Sequence, residues 1–289
     1  MNKNRISIII PAYNEALTIG DLVLKTKELY PGVEIIVVND GSVDDTAAIA
    51  KDAGAHVYNH PYNIGNGAAI KSGIRIAGGD ILVFMDGDNQ HNPKDIAKLL
   101  RYIPDYDMVV GSRSNGHQAS LGRTFGNTAY NWLASYVAKF YIPDLTSGFR
   151  AIKTDIARNF LYLLPNTYSY PSTLTLGALR SGRSVKYMPI NVLKRITGKS
   201  EISPFKDGVR FLMIIIKICT LYSPLRVFLP VSFGLFVLGL SYYMFTYLSS
   251  GRFSNMSLLL FTTSIIIFMM GLVSEQICQM RFERSEGEK

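Results

Sequence analysis

Two aspartates end a buried-looking strand. Ile81-Leu82-Val83-Phe84-Met85 is apolar throughout and runs into Asp86-Gly87-Asp88-Asn89-Gln90-His91. Carboxylates two residues apart repel each other unless a cation or a hydrogen-bond donor lies between them. A hard divalent ion that also takes phosphate oxygens relieves that repulsion, because Mg²⁺ commonly binds through one or two carboxylates plus phosphates. Asp86 and Asp88 are therefore candidate metal ligands, and the chemistry they suggest is the handling of a diphosphate. His91 reads as their neighbour, not as a ligand.

Other polar clusters also follow apolar runs. Asn39-Asp40-Gly41-Ser42 puts Asp40 where it can accept from a base or ribose donor; Ser42 with Asp45, or Asp44, can cap the next helix at the same time. Asn63-Ile64-Gly65-Asn66-Gly67-Ala68-Ala69-Ile70-Lys71 looks superficially like a dinucleotide-binding loop, but the next glycine is Gly73, off the required spacing. Asn63, the loop amides and Lys71 are placed to approach a donor's phosphates, unless Gly65 and Gly67 serve only the turn. Arg113, Arg123 and Arg150 surround the same expected cleft, and the guanidinium fork suits anions. Asp144 is read either as orienting Arg150 or as a structural cap.

The elements that must position these groups alternate. Strand-like runs at 6–10, 34–38, 56–58, 81–85 and 108–110 are separated by helical segments, for example 16–29, 44–53, 68–77 and 93–102. Strands that are apolar on both faces predict a mostly parallel sheet covered on both sides, an α/β doubly wound domain. Ligands of such sheets bind at the carboxyl ends of the strands, where the polar clusters lie.

The chain has 289 residues, 48% of them hydrophobic and 18% charged, with a mean hydropathy of +0.15 and a net charge of +8. Soluble domains carry roughly 25% charged residues, so this composition excludes disorder and points to a membrane segment. The charge surplus is local: ten Lys and Arg between Arg180 and Arg226 face only Glu201 and Asp207. Residues 227–251 and 253–274 carry no charge. Helices of that length reach roughly 33–37 Å, enough for a bilayer core, and predict a transmembrane hairpin at about 227–249 and 255–277. The alternative is a pair of buried core helices. Basic flanks, including Arg281 and Arg284, place both termini in the cytoplasm.

Upstream, Lys206, Arg210 and Lys217 fall at about 0°, 40° and 20° on a helical wheel, a narrow basic stripe that predicts an amphipathic helix over 203–225 lying in the membrane interface. The expected layout is thus a catalytic domain over 1–202, that helix, the hairpin within 226–280 and a tail over 281–289. Cys219 and Cys278 lie in apolar stretches, which excludes a disulfide framework and fits a reducing compartment. The four isoleucines within residues 6–10 are too few for a signal-peptide core. Nucleic acid is not an expected partner, because the basic segment lacks interleaved aromatics and leads into a span.

Pro11-Ala12-Tyr13-Asn14-Glu15, Asn39-Asp40-Gly41-Ser42, Asp86-x-Asp88-x-Gln90-His91, Gly111-Ser112-Arg113 and Thr146-Ser147-Gly148-Phe149-Arg150 occur in register. Together they resemble family 2 glycosyltransferases of the GT-A fold, and more narrowly the polyprenyl-phosphate glycosyltransferases. The resemblance covers residues 5 to about 202. It implies that Pro11, Tyr13, Glu15, Val38 and Asp40 hold a nucleoside. It also implies that Asp86, Gly87, Asp88 and Gln90 form a DXD-type site for Mg²⁺ or Mn²⁺ and the donor diphosphate. Arg113 and Arg123, with Arg150 and Lys199, would face an acceptor phosphate, and Arg195 would reach the phosphates from a late Arg-x-x-Gly-x-Ser segment.

The sequence departs from the family pattern at Asn39, where many members have Asp, at Glu201, where Lys is usual, and at Ser172-Thr173, where many carry an acidic residue. Implied partners are a GDP- or UDP-linked sugar, a polyprenyl phosphate (undecaprenyl or dolichyl), membrane lipids and a second copy in a homo-oligomer. The implied reaction is inverting hexose transfer, with Asp88, Arg113, Arg123 and Asp144 in catalytic positions. The alternatives are a family 2 enzyme with another membrane acceptor, such as a diacylglycerol, and a non-catalytic nucleotide-sugar-binding membrane protein.

Overall fold

The computed structural model describes residues 5–113, 121–192 and 223–286, with backbone alone for 121–127, 129 and 281–286. The chain divides into two compact units: residues 1–132 with 141–202, and residues 133–140 with 203–289.

The first unit is built on a seven-stranded sheet of order β3-β2-β1-β4-β6-β5-β7. Its strands are β1 (Ile6–Ala12), β2 (Glu34–Asn39), β3 (His56–Asn59), β4 (Ile81–Phe84), β5 (Met108–Arg113), β6 (Arg150–Lys153) and β7 (Val185–Ile190). β1 to β4 are mutually parallel, as are β5 and β7, while β6 runs antiparallel between β4 and β5. Ile8 pairs with Ile35 on one side and Val83 on the other. Alternate residues feed opposite cores. Ile8 and Ile10 join Ile19, Leu22 and Val23 of α1 (Ile19–Leu29). Ile9 faces α3 (Asn66–Ile76), close enough that a Cβ on Gly73 would lie 2.4 Å from its Cγ2. Both faces of β1, β2 and β4 are dry, which is why these central strands read as largely apolar.

The four-residue β6 has consequences for the cleft. Being antiparallel, it starts at the edge where β4 and β5 end, with Arg150 in register with both Phe84 and Val110. The segment 144–149 is thereby delivered beside Asp86. The strands and helices expected over residues 6–110 are all present with shifted ends, such as α2 at Thr46–Asp52 and a 3₁₀ turn at Pro93–Asp95 leading into α4 (Ile96–Leu100). α6 (Thr154–Asn159) and α7 (Tyr170–Arg180) complete the helices of this unit, and α5 (Leu121–Ala138) begins in it and ends in the second.

In the second unit, α8 (Pro224–Ser250) and α9 (Asn255–Glu286) pair as a hairpin across a left-handed Gly251. Both are long and apolar enough to cross a membrane, and only 11% and 17% of their most apolar windows are buried, unlike core helices of a soluble protein. Ser232 Oγ donates to Ser264 O at 2.9 Å, and Ser264 Oγ donates to Ser232 O at 2.8 Å. Gly239 and Gly271 let the helices approach, since Cβ atoms there would lie 3.1 Å from Leu260 Cβ and 2.8 Å from Phe228 Cβ. Leu225 N–H, unpartnered within its own first turn, donates to Glu275 Oε2 at 3.2 Å. Pro230 has no N–H for the carbonyl of Arg226, which accepts instead from Tyr136 OH at 3.3 Å. The Arg226 guanidinium in turn reaches Val137 O, an orphan carbonyl at the end of α5. The expected interface helix lies almost wholly outside the described residues.

Candidate active site

One side of the cleft is made of the loops after β1, β2 and β3, and they are stitched to one another. Asn14, in the left-handed region at φ 55°, accepts from Val43 N at 3.0 Å, while its own N–H donates to Ser42 Oγ at 2.9 Å. Asparagine tolerates that conformation better than most residues. Glu15 N donates to Thr46 Oγ1 at 2.9 Å, and Thr18 Oγ1 bridges to the β4 loop through Gly87 O at 2.9 Å. Gly87 suits that close approach, because a Cβ would sit 3.1 Å from Pro11 O. Tyr13 is 45% exposed at the rim. Ser42 is occupied by Asn14, so the Ser42–Asp45 capping box is not formed; Asp44 Oδ1 instead takes Thr46 N at 3.1 Å.

Several expected ligands have internal duties. Val38 is fully buried and pairs in register with the buried Pro11, so these two form the floor of the site and Val38 offers no side-chain surface to a nucleoside. Asp40, buried, accepts from Ile64 N at 3.0 Å, Gly65 N at 2.8 Å and His60 Nδ1 at 2.6 Å. The amino end of α3 is closed rather than open to phosphates: a Cβ on Gly67 would meet Pro165 O at 2.1 Å, and Ala68 N donates to Asn166 O at 3.3 Å. Lys71 does not face a donor either. It donates to Leu164 O at 3.2 Å and to Asn166 Oδ1, and burial, helped by Arg75, lowers its pKa. Asn63 is exposed on the loop packed against Gly41.

The opposite side of the cleft carries charge. The Asp86 side chain is 36% exposed, with His91 Nε2 3.7 Å from its Oδ2. His91 is buried and stacks on Phe149 at 4.9 Å between centroids. Gly148 leaves room for Asp86, since a Cβ would lie 3.0 Å from Asp86 Oδ2. Asp88 Oδ1 accepts from Gln90 N at 3.1 Å across a left-handed Asn89. Among the described residues, no three His, Cys, Asp or Glu side chains converge. Two carboxylates, one of them half-open, fit an ion that completes its shell with phosphate oxygens and water better than an all-protein cage.

Arg113 extends from the end of β5 onto Asp144, Nε to Oδ2 at 2.8 Å and Nη2 to Oδ1 at 2.9 Å, with a further bond to Thr146 Oγ1 at 2.5 Å. The partner of Asp144 is therefore Arg113, not Arg150. Burial pushes the Asp144 pKa up, but the guanidinium bonds and charge outweigh it and hold the carboxyl below its ordinary value. Those bonds, against burial, raise Arg113, and the charge of Asp86 adds to the rise. This bidentate pair stays ionised, with 41% of the arginine side chain still exposed.

Arg150 cannot meet an acceptor. It is fully buried, with Nη1 donating to Pro171 O at 3.0 Å and Thr175 Oγ1 at 3.1 Å, and Nη2 donating to Ser147 O. Burial pushes its pKa down. It braces the 144–149 segment from behind. Ser172 receives Tyr130 OH at 2.9 Å in a buried pair, with burial pushing that phenol up to about 12. The backbone of Arg123 lies in α5, its side chain outside the description; Arg195 and Lys199 lie outside the described residues. His60, Thr18 and the Gly148 contact were not foreseen, because each depends on loops that meet only after folding.

A doubly wound, mostly parallel sheet with paired carboxylates after β4 is the architecture of a GT-A glycosyltransferase. The sequence matches the model of glycosyl transferase family 2 over residues 7–161, and that of the GtrB C-terminal hairpin over 223–280. The chain belongs to glycosyl transferase family 2. It is 30% identical to the polyprenol monophosphomannose synthase of Mycolicibacterium smegmatis, over 69% of this chain and 81% of that one. It is 28% identical to the undecaprenyl-phosphate mannosyltransferase of Micrococcus luteus, over 69% and 88%. Glucosyl-3-phosphoglycerate synthase from Mycobacterium tuberculosis, solved in complex with Mn²⁺, UDP-glucose and phosphoglyceric acid, shares the fold. Its TM-score is 0.61 at 20% identity, covering 75% of this chain and 79% of that one.

Proposed function

We propose that the protein transfers a hexose from a nucleotide sugar to the phosphate of a polyprenyl phosphate, with inversion, at a membrane surface. The observation that carries this reading is the exposed Arg113, held bidentately by Asp144 within the field of Asp86. A cation fixed next to a metal-type carboxylate suits two anions that must meet, a leaving diphosphate and an attacking phosphate. The names of the relatives point to the same acceptor.

The acceptor oxygen attacks the anomeric carbon, and the bond to the nucleoside diphosphate breaks with its electron pair leaving on that group. A phosphomonoester has a second pKa of about 6, so it arrives largely deprotonated and needs no strong base. Asp86, Asp88 and Gln90 would hold Mg²⁺ or Mn²⁺, which supplies charge neutralisation to the leaving diphosphate. Tyr13, Glu15 and Asp40 would bound the nucleoside, Arg113 and Arg123 the acceptor phosphate, with Arg195 and Lys199 closing from the late segment. The layout is a catalytic domain over 1–202, an interface helix over 203–225, a hairpin within 226–280 and a tail over 281–289, both termini cytoplasmic.

Incubating the purified protein and Mg²⁺ or Mn²⁺ with undecaprenyl or dolichyl phosphate and a panel of GDP- and UDP-sugars tests this, reading lipid products by mass. A lipid-phosphate-linked hexose is expected. Transfer to diacylglycerol instead, or no lipid product with any donor, overturns it.

A further inference from the structure

His60 belongs to no motif quoted above, yet it is buried at the end of β3 and engaged at both ring nitrogens. Nδ1 lies 2.6 Å from Asp40 Oδ1, and Nε2 lies 2.9 Å from Ser72 Oγ on α3. With Nδ1–H donating to the carboxylate, the other ring nitrogen, Nε2, shares a hydrogen bond with the Ser72 hydroxyl. The His60 amide donates to Asn39 O at 2.9 Å, and Asn39 Nδ2 donates to Asn59 Oδ1 at 2.9 Å. Gly41 lets the two loops close backbone to backbone, since at φ 72° a Cβ would lie 2.4 Å from Tyr62 C. Asp40 therefore cannot turn without breaking its bonds to Ile64 N, Gly65 N and His60.

We propose that His60 is a positioning residue for the donor nucleotide. It fixes Asp40 and the wall formed by the loops after β2 and β3, and Ser72 fixes His60 in turn. The inference rests on the reading of Asp40 as part of the nucleoside site. Every partner of His60 named above belongs to that wall or to α3, none to the Asp86–Asp88 or Arg113–Asp144 groups. Its loss should be felt by donor affinity rather than by the chemical step.

The test uses the full-length chain in lipid-doped detergent, with UDP and GDP binding by calorimetry and steady-state kinetics for both substrates. His60→Ala should raise the donor KM about tenfold, the worth of one hydrogen bond to a charged group, with kcat and the acceptor KM nearly constant. His60→Asn, whose amide N–H replaces Nδ1–H, should restore most of the affinity. Ser72→Ala should shift the donor KM about two- to threefold in the same direction. An unchanged donor KM in Ser72→Ala and in a folded His60→Ala overturns the inference, as does a fall in kcat at constant donor KM. If the unaltered protein binds neither UDP nor GDP, the nucleoside site falls and this inference with it. Normal binding by His60→Ala sinks the inference alone.

Discussion

The loops after β2 and β3 and the loops after β4 and β5 leave the same edge of one sheet, but they use their polar groups differently. On the first side Asn14, Asn39, Asp40 and Ser42 bind one another's loops. On the second, Asp86 keeps a third of its side chain open, and Arg113 is anchored on one side while 41% exposed. A wall that receives a neutral, planar group can be completed in advance by its own hydrogen bonds. A surface that receives several phosphates has to keep charge in reserve, because charges already neutralised within the protein hold little attraction for a ligand.

The contrast can be broken at its charged side first. Asp88→Ala should reduce transfer by on the order of 10³-fold even at saturating donor, since the deficit is in leaving-group neutralisation. Substantial turnover, measured as lipid-linked sugar, would remove the metal assignment. Asp144→Asn should cost about 10²-fold in kcat/KM for the acceptor, because Arg113 loses its second point of attachment.

The same variant sharpens the pH behaviour. Asp144 titrates below its ordinary value in the folded chain, so the pair's stabilisation is complete above the unfolded carboxylate pKa of about 4 and disappears as pH falls through the lower folded value. Asp144→Asn should flatten that acid limb in a melting-temperature profile. An unchanged limb would assign the acid sensitivity elsewhere, with Asp107, similarly lowered beside Lys153, the next candidate.

Arg150 separates support from recognition. Arg150→Met leaves Ser147 O without its guanidinium donor and takes the side-chain bonds from Pro171 O and Thr175 Oγ1, which should cost about 3 kcal/mol and lower Tm by roughly 6–12 °C. A normal Tm with a raised acceptor KM would return Arg150 to the acceptor site. Smallest of all, replacing Ser232 and Ser264 together by Ala should destabilise the hairpin by about 0.6 kcal/mol, read as a small Tm shift in detergent with turnover intact.

Much of this was readable from residue order. Ile8–Ile10, Ile35–Val38 and Ile81–Met85 are apolar runs without a polar face, and that pattern reveals a covered parallel sheet. Asp86 and Asp88 stand at a strand end, so their placement needs only local information. β6 escaped because Arg-Ala-Ile-Lys is short and half polar, and its antiparallel direction depends on β4 and β5 flanking it. From residue order alone Arg150 therefore reads as a loop cation. The bonds that hold Lys71 and Asp40 are hidden for a related reason: their partners, Asn166 and the amides at 64–65, arrive through tertiary approach, which spacing cannot reveal.

The reciprocal bonds between Ser232 and Ser264 act as a depth gauge. Each hydroxyl is matched to the other helix's carbonyl at one register only, about 12 Å along α8 from Pro224 at 1.5 Å per residue. Sliding one helix along the other would lose both bonds at once. Together with the close contacts at Gly239 and Gly271, these bonds favour the pair leaning as one in a thicker or thinner bilayer over shear between its halves.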